Sequence, residues 1–76
     1  MKDKLIAAVS DIINVPASAL ISAPENYRLG DPPAWDSLTH LAIMTELENL
    51  SGREVSMDDM ERLDTLVKII EFLEQQ

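Results

Sequence analysis

Apolar side chains recur along this chain at helical spacing, and no segment alternates well enough to be a strand. Leu5, Ile6, Val9, Ile12 and Ile13 share one face of a segment from about Lys2 to Asn14. Pro16 ends that segment, because the residue before a proline avoids the α region. Residues 15–36 form a long connection that holds all four prolines (Pro16, Pro24, Pro32, Pro33) and Gly30, which excludes one continuous helix. A short helical turn fits near Ala17–Ile21, and Leu20, Ile21, Tyr27 and Leu29 are expected to pin the connection to the core.

The second helix is expected from Ser37 to about Leu50. Asp36 is a good N-cap type just before the apolar periodicity. Ser51-Gly52 ends it, since Gly52 can take a left-handed conformation. A short third helix spans Met57 to Arg62, capped by Ser56, with Asp58 and Asp59 at its positive end. The last helix runs from about Thr65 to Glu74, with Asp64 as its expected cap and Leu66, Ile69, Ile70 and Leu73 as its inner stripe. The expected fold is all-α, residues 1–76 forming one domain of three longer helices and one short helix, with a long loop between the first two.

On a wheel of about 100° per residue, Ile43, Met44, Leu47 and Leu50 of the second helix gather on the core side. His40 falls on that side too. Glu46, Asn49 and Thr39 lie largely opposite. Leu38 and Leu41 sit at the edge beside Thr45. If exposed, they form a small apolar patch next to Ser37, suited to partner docking; the competing expectation packs them under the long loop.

Composition narrows the function. With 76 residues the chain buries only roughly 60% of its unfolded surface. It has no cysteine, so neither disulfides nor thiolate zinc can staple it. Its only aromatic residues are Tyr27, Trp35 and Phe72, so aliphatic side chains must fill the core, which suits packed helices. Fourteen acidic residues against six basic ones give a net charge of -8. That argues against nucleic acid and anionic membranes, and suits salt-sensitive encounters with basic partner surfaces. Met1-Lys2-Asp3-Lys4 is not followed by the apolar stretch of a signal peptide. No apolar run approaches the roughly 20 residues of a membrane helix. A cytoplasmic monomer is expected.

Candidate chemistry is sparse. Asp58, Asp59 and Glu61, like Asp31 and Asp36, lack the spacing of an EF-hand or a His-containing metal site and read as caps and solvated faces, so no metal is expected. With only Gly30 and Gly52 there is no Gly-rich phosphate loop. Ser37 and His40 invite a nucleophile–base reading. However, residues three apart on a helix slant the same way, no third group orients the imidazole, and a domain this small lacks room for a substrate cleft. Catalysis is not expected, and His40 reads as a core or pocket-lining histidine. Ser37 itself stands where a helix presents free N–H donors and its positive pole, a place that favours an anionic group.

An opening apolar helix, a long loop, Asp36-Ser37-Leu38 at the start of a second helix, then a short and a final apolar helix: this arrangement resembles the acyl carrier protein family, including its peptidyl carrier relatives. Val55-Ser56 and Leu63-Asp64-Thr65-Leu66 also look like that family, and the resemblance runs from the opening helix to Leu73. It implies an acidic four-helix bundle carrying a covalent 4′-phosphopantetheine arm on Ser37. A phosphopantetheinyl transferase would attach the arm from Mg²⁺-bound coenzyme A, with Asp36 helping to present the site. The arm's thiol would hold acyl or aminoacyl intermediates as thioesters. Partners would be an acyl- or aminoacyl-loading ligase or transferase and downstream biosynthetic enzymes, contacted through Trp35, Leu38, Leu41, Thr45, Glu46 and Glu48. The core could open to an acyl chain, with His40, Ile43, Met44 and Leu47 near its mouth.

The match departs from the common patterns. Ala34-Trp35 precede the motif, where fatty-acid carriers often have Gly-Ala and peptidyl carriers Gly-Gly and often His. Thr39, His40 and Ala42 take positions where acids are frequent, and Ser51 stands where a large apolar residue often ends the helix, a place Leu50 can fill one residue early. These features favour a specialised carrier serving polyketide, nonribosomal peptide or related biosynthesis. A polar His40 on the inner face points to a small or polar cargo. The alternative is a non-catalytic acidic interaction module with the same fold and no arm.

Overall fold

The computed structural model describes residues 2–75. Among the described residues five α-helices follow one another: α1 (Lys2–Ile13), α2 (Ala17–Ser22), α3 (Ser37–Ser51), α4 (Met57–Arg62) and α5 (Leu66–Glu74), with a 3₁₀ turn at Pro24–Asn26. The protein is all-α; among the described residues the only β-type pairings are isolated bridges, Arg28 with Asp31 and Arg28 with Thr65. The turn expected at Ala17–Ile21 is a complete helix one residue longer, so the connection between α1 and α3 is largely structured.

The long helices α1, α3 and α5 pack on one another in all three pairings. Each presents an apolar stripe with helical period: Leu5, Ile6, Val9 and Ile13 from α1; Ile43, Met44 and Leu47 from α3; Leu66, Ile69, Ile70 and Leu73 from α5. Every such Leu or Ile, once buried, contributes roughly 1.5–3 kcal/mol. In this small domain those stripes hold the fold together. Leu20 of α2 joins the same core, whereas α4 has no buried residue of its own. Its flanks, Val55 and Leu63, are buried instead.

The helix ends follow from local chemistry. Helix α1 stops at Ile13 because Asn14 turns left-handed (φ 58°) and the Val15 N–H donates to the Ser10 carbonyl at 3.2 Å. This is a Schellman closure, with Pro16 beyond it. Gly52 (φ 70°) ends α3, its N–H donating to the Glu48 carbonyl. Ser56 and Asp59 form a reciprocal capping box on α4. The expected cap of α5 shifts by one residue: Thr65, not Asp64, accepts from the Lys68 N–H, and the helix begins at Leu66. Asp64 pairs instead with Lys68 at 3.2 Å and Arg28 at 3.7 Å.

The connection is pinned differently from expectation. Leu20 and Tyr27 do pack on the core, but Ile21 is 62% exposed and Leu29 lies at the surface. Leu29 is held by its backbone: its N–H donates to the Asp64 carbonyl at 2.8 Å, and the Leu66 N–H donates to the Tyr27 carbonyl at 3.0 Å. Arg28 and Asp31 close a tight turn on each other, across which Gly30 takes φ 94°. The Gly30 N–H then donates to the Trp35 carbonyl at 2.8 Å. The segment feeding α3 is thereby fixed to the α4–α5 junction.

Candidate functional site

The site is the first turn of α3. Asp36 is in extended conformation (φ -100°, ψ -172°) and its Oδ1 accepts the Thr39 N–H at 2.9 Å. That bond, foremost, holds the Asp36 carboxyl below its ordinary value of 3.8. Ser37 follows as the first helical residue and is exposed. Its hydroxyl therefore stands in solvent at the positive end of a fifteen-residue helix. First-turn N–H groups have no intrahelical partner, so an anion on this oxygen meets donors there.

Beside Ser37, Leu38 is 78% and Leu41 50% exposed. They do not pack under the loop, and with exposed Thr45 they make the edge patch drawn from the wheel. Thr45 Oγ1 donates to the Leu41 carbonyl at 2.9 Å. Met57, at the start of α4, is another strongly exposed apolar side chain.

Trp35 corrects the sequence reading. It was expected at the partner surface, yet it is 0% exposed. The apolar indole has a core position available directly behind Asp36, and its N–H finds an acceptor there. Trp35 Nε1–H donates to His40 Nδ1 at 2.9 Å, and the two rings lie 6.0 Å apart. His40 Nε2 bonds the Met60 carbonyl at 2.9 Å. An indole only donates and a carbonyl only accepts, so His40 accepts at Nδ1 and donates from Nε2, which defines the neutral Nε2–H tautomer. His40 is a core histidine, 7% exposed, bonding the loop on one side and α4 on the other. Both ring nitrogens are thus engaged away from Ser37. Ile43, Met44 and Leu47 lie behind it, fully buried among core side chains.

Glu46 and Glu48 are half-buried. Glu48 Oε2 accepts the Val55 N–H at 3.0 Å, so this carboxylate closes the α3–α4 loop. Ser51, buried in place of the large apolar residue, works in the same loop: its Oγ accepts the Arg53 N–H at 3.2 Å. Leu50 is only half-buried against the core. Arg53 in turn lies over the Phe72 ring, 4.0 Å from its centre, and donates to the Phe72 carbonyl. Sequence periodicity carried no signal for Glu48, Ser51 or Trp35, because all three act through hydrogen bonds in or to non-helical segments: Glu48 to Val55, Ser51 to Arg53 and Trp35 to His40.

Among the described residues, no cluster of His, Cys, Asp or Glu is placed to hold a metal ion, and no helix is long and apolar enough to cross a membrane. Comparison with protein-family models, curated proteins and solved structures gave no match to this chain.

Proposed function

We propose that this protein is a carrier of the acyl carrier type, a small helical bundle that bears a 4′-phosphopantetheine arm on Ser37 and passes thioester-bound acyl or aminoacyl intermediates between enzymes of a specialised biosynthetic pathway. The observation that carries the reading is the exposed Ser37 hydroxyl at the capped start of α3. The residues present fit the group. A phosphodiester on Ser37 Oγ would lie at the helix's positive pole, near first-turn N–H donors. The segment from Tyr27 to Asp36 is tied to the α4–α5 junction, so the serine is offered from a fixed base. When bound, the arm supplies a thiol for thioester chemistry, which agrees with a chain that has no cysteine of its own.

The chain's residues would then divide the work. Asp36 caps α3 and keeps a negative charge beside Ser37, where the transferase's Mg²⁺ would be drawn. Ser37 Oγ would form the new P–O bond at the pantetheine-side phosphorus of coenzyme A as the pyrophosphate P–O bond breaks, adenosine 3′,5′-bisphosphate leaving with that bond's electron pair and the serine proton passing to a base of the transferase. Leu38, Leu41 and Thr45 present a partly apolar face to loading and downstream enzymes, and Glu46 adds charge at its edge. The net charge of -8 would speed encounter with basic partners. Cytoplasmic placement and a monomeric state belong to the same proposal.

The test is direct. Incubation with coenzyme A, Mg²⁺ and a broad-specificity phosphopantetheinyl transferase is expected to add one arm, seen as a single adduct by intact-mass spectrometry, and Ser37→Ala is expected to abolish it. An unmodified wild-type protein, or equal modification of the alanine variant, ends the carrier reading in favour of an interaction module without an arm.

A further inference from the structure

We infer that the cargo stays outside the protein core: a buried Trp35–His40–Met60 relay bars alkyl chains from the space behind α3, so the carrier serves small or polar acyl groups displayed in solvent. This rests on the assignment of the arm to Ser37. A tethered chain turning inward along α3 meets His40 first, since it is the first buried residue after Ser37 and sits nearly one turn on. Ile43, Met44 and Leu47, the apolar side chains a hydrocarbon would seek, come after it.

The flanks close the same route. On the loop side stands Trp35, wholly buried and bonded to His40 Nδ1 at 2.9 Å. On the α4 side stands the Met60 carbonyl, bonded to His40 Nε2 at 2.9 Å. An alkyl chain that displaced the imidazole would offer neither an acceptor for the indole N–H nor a donor for the carbonyl. The buried indole N–H would be left unpaired and the part-buried Met60 carbonyl would lose its donor, which opposes entry. Helix α4 offers little apolar wall in return: none of its residues is fully buried, and Met60 alone packs, half-buried, against the core. A site meant for hydrocarbon is lined mainly by apolar groups, whereas here the first inward contact is polar and fully bonded.

Two properties make the test simple: Trp35 is the only tryptophan, so emission reports this seam alone, and the chain has no cysteine. The arm on Ser37 is loaded with acetyl, 3-hydroxybutyryl or octanoyl groups, and thioester cleavage by hydroxylamine is timed. A chain sequestered nine-tenths of the time would be cleaved about tenfold more slowly. The expected result is equal rates for all three groups and unchanged Trp35 emission. Octanoyl cleaved about tenfold more slowly than acetyl, with a shift in Trp35 emission, overturns the inference while leaving the carrier assignment intact. A bare Ser37 overturns that assignment instead. Ser37→Cys keeps the bar testable in either case: a methyl and an octyl methanethiosulfonate adduct are expected to give the same Ile43 and Leu47 methyl resonances, and octyl-specific shifts refute it. His40→Leu, which removes the relay, is expected to make those shifts appear.

Discussion

Replacing Trp35 with phenylalanine is expected to destabilise the fold strongly, although Trp35 directly precedes an exposed Asp-Ser-Leu segment. The indole is 0% exposed and its N–H makes a 2.9 Å bond to His40 Nδ1. Phenylalanine removes that donor and leaves a buried ring nitrogen unpaired, a loss of about 1–3 kcal/mol. The smaller ring also gives up apolar burial of about 1 kcal/mol or slightly more. Together the change should cost about 2–4 kcal/mol. A chain of 76 residues has a total stability on the order of 4–11 kcal/mol, so the variant should be folded but visibly weakened. Urea unfolding followed by far-ultraviolet circular dichroism measures the difference. In a double-mutant cycle with His40→Leu, the pair should show a coupling of about 1–2 kcal/mol. A loss within about 0.5 kcal/mol, the size of an ordinary surface substitution, would refute the buried placement.

Two further predictions concern the ends of helices. The Asp36 carboxyl is held low chiefly by the Thr39 N–H, and that of Asp59 chiefly by Arg62. The unfolded chain therefore binds these protons more tightly than the folded one; their stabilising effect is complete above the ordinary carboxyl value of 3.8 and disappears as pH falls through the lower folded values. Replacing both by asparagine should flatten the fall in stability on acidification, and parallel pH curves for variant and wild type would contradict this. Gly52 has φ 70° and no atom within 4 Å of an added Cβ, so Gly52→Ala should cost about 1–2 kcal/mol through backbone conformation alone. Gly52→Asn should cost clearly less, as read from thermal midpoints; equal losses would mean that a clash, not conformation, decides.

Elements with a strong period were legible in the chain itself. Leu66, Ile69, Ile70 and Leu73 mark the buried face of α5, and Leu5, Ile6, Val9 and Ile13 that of α1, because a 3.6-residue repeat can serve only one face. The caps Asp36, Ser56 and Gly52 were equally readable, since each residue type supplies the bond or angle its position needs. Leu38 and Leu41 proved exposed as their edge position on the wheel allowed. What escaped has a common cause. Trp35 lies in a proline-rich segment with no period, so nothing local tells an inward indole from an outward one. Its partner His40 comes from α3 and closes onto α4, contacts that exist only in the assembled fold. Glu48 read as a surface acid because its partner, the Val55 N–H, lies across a loop. The exchange of Asp64 for Thr65 as cap of α5 follows from Asp64 being drawn to Arg28 and Lys68.

The most direct measurement of the central claim is mass spectrometry of the protein purified from its native host, with peptide fragmentation across residues 28–53. A phosphopantetheine group on Ser37, free or bearing a small acyl or aminoacyl thioester, is the predicted result. A bare Ser37 throughout the recovered protein, from cells whose transferase modifies other carriers, would contradict it.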